Sequence, residues 1–145
     1  MVDLDYDDYW YDAAPFYHEG LGVFFAALLM IRFGWKLYNQ APTPSASLSK
    51  LEKNLATITH YLLYLLCTLL CITGYLMPTA DGRALAVFNW FYIPSLGSFH
   101  PLQADIAGFL HYWIAWLTVC TASIHGLAAI KHHIIDKDHT LKKML

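Results

Sequence analysis

The sequence predicts an all-α fold built from membrane-spanning helices, and three observations carry that prediction. Hydrophobic residues make up 57% of the 145 and charged residues only 14%, too few polar side chains to coat a water-facing surface. The apolar residues fall in three long blocks rather than in the short stripes of soluble helices. The basic residues between and after the blocks collect almost entirely on one side.

Residues 1–16 read as a polar lead ending near Pro15, at the start of the first helix. The first span, approximately 17–38, contains "GLGVFFAALLMI" (Gly20 to Ile31) and continues through "RFGWKLY". It is long enough if Glu19 and Arg32 or Lys36 reach the interfaces. "NQAPTPSASLS" (Asn39 to Ser49) is a Pro/Ser linker that ends this helix and precedes the next. The second span, approximately 56–77, contains the charge-free "YLLYLLCTLLCITGYLM" (Tyr61 to Met77). "MPTADGRALAVFNWFYIPSLGSFHP" is expected to form an outer loop with an amphipathic piece along the interface, anchored by aromatics around residues 88 to 92. The third span, approximately 105–131, contains 25 residues (Ile106 to Ile130) without Asp, Glu, Lys or Arg, above the ~20 that a crossing requires. "KHHIIDKDHTLKKML" continues the last helix beyond the membrane.

The first nineteen residues carry six acids (Asp3, Asp5, Asp7, Asp8, Asp12, Glu19) and no Lys or Arg. Eight of the nine basic residues lie on the opposite side, leaving only Arg83 with the acids. The positive-inside rule then puts the N-terminus outside and the C-terminus in the cytoplasm. The Asp-rich start lacks the basic region and apolar core of a signal peptide, so a further helix ahead of Met1 is expected. Cys67, Cys71 and Cys120 all fall inside spans without Cys-x-x-Cys spacing and read as small packing residues. A net charge of −2 and the lack of a basic face away from the membrane edges argue against nucleic-acid binding. Soluble catalysis finds no support either.

The histidines carry the chemistry. His18 and His111 lie near the outer ends of the first and third spans, and His60 and His125 near the inner ends of the second and third. His111 and His125 are fourteen residues apart, which brings both rings to nearly the same helix face, roughly 21 Å apart along the axis. Buried imidazole needs a partner. One histidine from each of two helices at one depth is how a bundle holds haem. Arg32 is likewise fourteen residues from His18, on the same face at the inner level, where it could pair with a haem propionate or snorkel to the interface. Gly22, Gly108 and Gly126 lie near these histidines and suit either a macrocycle against the backbone or ordinary helix contact. His60 reads as an interfacial polar residue or a ligand, His100 as a loop residue, and His132, His133 and His139 as a solvated basic end.

"YHEGLGVFFAALLMIRFGWKL", "APTP", "THYLLYLLCTLLCITGYLM" and "HYWIAWLTVCTASIHGLAAIKHHIIDKDHTLKKML" resemble the second, third and fourth helices of the bacterial cytochrome b561 family. The resemblance covers nearly the whole chain. It implies a four-helix di-haem protein of the inner (cytoplasmic) membrane that moves electrons to or from quinone; some members are similar to superoxide oxidases. Carried onto this sequence, it implies His18 and His111 as ligands of the outer haem. His125 would ligate the inner haem together with a histidine from the family's first helix, which these residues lack. "MVDLDY" resembles the stretch that follows that helix. A His60–His125 haem is the alternative, with His60 otherwise lining the inner haem or quinone surroundings.

The expectation is therefore a multi-pass electron-transfer protein with one or two haem b groups and ubiquinone as its quinone. Its other partners are the lipid bilayer and a soluble redox partner or superoxide at the outer face, with a homodimer as its assembly. Superoxide:quinone oxidoreductase activity is the enzymatic form of this reading, although an electron carrier fits the residues better than a catalyst. One rival is a truncated membrane fragment, haem-free or partly assembled, with a structural or interaction role. Another is a metal carrier using His18, His60, His111 and His125, which would need acids inside the spans that the apolar blocks lack.

Overall fold

The computed structural model describes residues 7–39 and 49–135. The remaining residues, which include most of the Pro/Ser linker, His139 and the Lys-rich end of the tail, lie outside the described residues. Three helices dominate: α1 (Tyr9–Tyr38), α2 (Lys50–Leu76) and α3 (Gln103–Ile134). All three are long and apolar enough to cross a membrane. Most of their large apolar side chains, among them Leu28, Ile58 and Leu117, face outward. On a soluble monomer such a surface would be an aggregation liability; in a bilayer it is the surface that lipid requires.

Helix α1 starts at Tyr9, earlier than the expected span, because Asp8 accepts a hydrogen bond from Trp10 N at 3.1 Å and caps it. Pro15 therefore lies in the second turn and not at the start. Helix α2 opens on a capping box: Ser49 Oγ accepts from Glu52 N at 3.3 Å, and Glu52 Oε2 accepts from Ser49 N at 2.8 Å. Helices α2 and α3 pack along each other, whereas α1 leans on α2 and on the segment that joins α2 to α3.

That joining segment differs from the expected interfacial piece. It contains an antiparallel β-hairpin, β1 (Leu85–Val87) with β2 (Phe91–Ile93), in the register Leu85 to Ile93 and Val87 to Phe91. Leu85 and Val87 point into the protein and are buried, the period-2 pattern of a strand with one covered face. The turn is closed by Trp90 N donating to Val87 O at 2.9 Å. Phe88 and Asn89 both have positive φ, 47° and 59°. Asn accepts this conformation readily, but a Phe there is an outlier that the surrounding structure must hold in place.

The hold comes from α1. The Phe88 ring lies over Gly20, with Phe16, Tyr17 and Phe24 around it at centroid distances of 5.9, 6.4 and 5.9 Å. The other residues expected to anchor at the interface, Trp90, Phe91 and Tyr92, are exposed. Polar bonds fasten the rest of the segment to the helix ends. Tyr75 Oη donates to Pro94 O at 2.7 Å and accepts from Leu96 N at 3.1 Å. Ser95 Oγ donates to Thr79 O at 2.8 Å. Buried Gln103 donates to Leu76 O at 3.0 Å and accepts from Phe99 N at 2.8 Å.

A Cβ at Gly20 would lie 2.6 Å from the tip of the Phe88 ring. Gly20→Leu should therefore lift Phe88 off α1 and cost about 1–3 kcal/mol of stability, read as a lower midpoint in detergent unfolding. Phe88→Ala in that background should relieve the clash; equal loss in the single and double variants would show that the contact does not place α1.

Candidate haem-binding sites

Four histidines form two pairs at two levels of the bundle. At the hairpin end, His18 of α1 faces His111 of α3, with ring centroids 5.9 Å apart and planes at 88°. At the opposite end, His60 of α2 meets His125 of α3, with Nε2 atoms 3.2 Å apart and centroids at 4.9 Å. The fourteen-residue spacing thus aims both α3 histidines inward, at a partner on a different helix each time.

The His18–His111 pair borders a cavity of about 500 Å³ between α1 and the α2–α3 pair. Gly22 and Phe25 of α1, Cys71 and Gly74 of α2, and Leu85 and Ile93 of the hairpin are among its lining residues. Glu19 lines it as well and brings a carboxylate to an otherwise mainly apolar wall. The volume lies within the range of small-molecule and cofactor pockets.

Thr73 and Gly74 explain the setting of His111. A Cβ at Gly74 would lie 3.1 Å from His111 Cε1, so glycine is what lets the ring lie against α2. Buried Thr73 Oγ1 lies 2.8 Å from Leu69 O and 3.1 Å from His111 Nδ1. A hydroxyl has one proton, and a threonine within a helix gives it to the carbonyl four residues back. The oxygen then accepts from His111 Nδ1–H, which leaves the Nε2 lone pair free for a metal. A threonine in an apolar helix ordinarily satisfies itself, so the sequence alone does not mark Thr73; its position beside Gly74, at the depth of His111, is the available signal.

The two pairs do not suit a metal equally. Two imidazoles on opposite sides of one metal atom, each about 2.0 Å from it, have ring centres roughly 6 Å apart and nitrogens about 4 Å apart. The His18–His111 separation of 5.9 Å fits. The His60–His125 nitrogens at 3.2 Å are too close and make an imidazole–imidazole hydrogen bond, with one ring donating and the other accepting.

Other expected residues fall around these pairs. Arg32 is exposed on α1, one turn before Lys36, whose ammonium lies over the Tyr61 and Tyr64 rings at 4.4 and 4.6 Å. These cation–π contacts and the Phe33–Tyr64 edge contact at 5.2 Å hold that end of α1 on α2. Gly108 lies against the Met77 side chain, and Gly126 and Gly22 have open space where a Cβ would stand. His100 Nδ1 accepts from Leu102 N at 3.1 Å, as a loop residue before α3. His132 lies 3.9 Å from Glu52, which ties the end of α3 to the start of α2. Among the described residues, no group of three or more His, Cys, Asp or Glu is placed to hold a metal ion, as a carrier would require.

Comparison with known proteins agrees with the bundle of membrane-spanning helices. The family described as prokaryotic cytochrome b561 matches residues 1–145. The chain belongs to this family. Cytochrome b561 homolog 2 of Escherichia coli (strain K12) is 44% identical over 145 residues, all of this chain and 77% of that protein. A probable superoxide oxidase CybB of Yersinia pestis is 27% identical over 128 residues, 88% of this chain and 72% of that protein. The protein is thus a multi-pass membrane electron-transfer protein of a b-type cytochrome family.

If His60 and His125 hold each other, a double-mutant cycle with His60→Leu and His125→Leu in unfolding should return a coupling of about 0.6 kcal/mol, and no more than about 1.7. A coupling indistinguishable from zero would mean that the two rings do not bond.

Proposed function

We propose that this chain binds haem b between His18 and His111 and relays single electrons between a quinone and a redox partner at the hairpin end. The observation that supports this most is the His18–His111 separation of 5.9 Å at the wall of a cofactor-sized cavity. His18 and His111 would hold the haem, which would supply one-electron exchange.

The chain's own residues prepare that site. Thr73 fixes the ring and proton of His111, Gly74 admits the ring, and Leu85 and Ile93 of the hairpin wall off the cavity from above. Phe88 keeps α1, and with it His18, at the required distance from α3. His125 and Arg32 belong to the opposite level, where ubiquinone is the proposed quinone; His125 is engaged there by His60. The same reading places the protein in the bacterial inner membrane, with the hairpin end outward, on the charge asymmetry of the sequence.

Purified protein should give a reduced-minus-oxidised spectrum with a b-type α-band, and its absence would overturn the proposal. His18→Ala and His111→Ala should each abolish haem retention at this site. Thr73→Val should weaken it by about 10- to 100-fold, with Thr73→Ser close to the parent in a haem titration.

A further inference from the structure

The charges around the His18–His111 site are one-sided. Glu19 lines the cavity together with both histidines. Asp7 and Asp8, just before α1, and Asp12 in its first turn are exposed at the same end and line a separate concavity with Tyr9 and Tyr17, while Asp81, in the segment after α2, and Asp105, in the first turn of α3, lie at that end too. Against these six carboxylates stands one described cation, Arg83, and it is engaged: its Nε donates to Pro78 O at 2.8 Å and lies 3.7 Å from Asp81. The opposite end is the reverse, with Arg32, Lys36, Lys50, Lys53 and Lys131 against Glu52 among the described residues.

Resting on the function proposed above, we infer that the redox partner at the hairpin end is a basic protein surface, and that Glu19 with Asp7, Asp8 and Asp12 selects against small anionic donors such as superoxide. Superoxide would give one electron to the ferric site and leave as dioxygen, with no proton exchanged. Nothing in that step offsets bringing an anion past the exposed acids of this end to a cavity wall that carries Glu19. The summed field of like charges at one end of a protein changes encounter rates by about 10- to 1,000-fold, and added salt screens it. A basic partner gains the same field as attraction. Tyr9, Trp10 and Tyr17, exposed among the acids, offer it the aromatic contacts that protein interfaces favour.

The test uses the full haem-loaded chain in lipid nanodiscs. The dithionite-reduced protein is re-oxidised by a tripositive cobalt–phenanthroline complex or by ferricyanide, and the α-band is followed in time. Between about 10 mM and about 200 mM salt, the cation's rate should fall by roughly tenfold or more and the anion's rate should rise. Asp7→Asn/Asp8→Asn/Asp12→Asn, which leaves the cavity wall alone, should reduce both slopes. Adding Glu19→Gln should flatten them further and speed reduction by enzymatically generated superoxide severalfold, while Glu19→Asp restores the parent behaviour. A faster anion at low salt, salt-independent rates, or slopes unchanged in the variants would overturn the inference while leaving the haem assignment standing. A protein without a b-type spectrum would instead overturn the function on which it rests.

Discussion

Every polar group inside hydrocarbon must find its partner within the protein, and this constraint organises the bundle. Water is not there to solvate a stray imidazole. Each intramembrane histidine of α3 accordingly faces another histidine, and His111 also has a threonine. The close packing of α2 on α3 follows from these meetings as well as from small residues. Thr73 and Gly74 at one level, and His60 at the other, make α2 the helix on which α3 is set.

Helix α1 is positioned by different means. It leans on the hairpin through Phe88 and on α2 through Lys36 and Phe33, one contact near each end. Between these two props it stands away from α3, and the cavity is the space left over. A backbone outlier at Phe88 thus has a structural reason. The left-handed turn aims the ring at Gly20, and the distance of His18 from His111 depends on that ring staying there.

Periodicity made much of this legible. The apolar blocks locate all three helices, and the fourteen-residue spacing of His111 and His125 puts both on the face that meets other helices. What periodicity cannot supply is distance between helices, so the sequence left His60 as either interfacial or ligating, while the structure sets its Nε2 3.2 Å from that of His125. The hairpin is hidden in the sequence for another reason. An aromatic run between two spans has the composition of an interfacial anchor, and that reading hid the alternation of Leu85 and Val87 and the turn-forming Asn89.

The same end of the molecule therefore answers to two demands that pull in different directions. The cavity wall is mainly apolar, as the proposed macrocycle would need, yet Glu19 brings a carboxylate to it one residue after His18. A negative charge near a metal centre stabilises its more oxidised, more positive form, so in the proposed haem site Glu19 would act on the redox balance as well as on what approaches. Because α1 carries both His18 and Glu19, and Phe88 packs on α1 at Gly20, the hairpin governs the His18–His111 geometry and the placement of Glu19 together. Under the proposed function, ligand geometry and partner choice then become mechanically one variable.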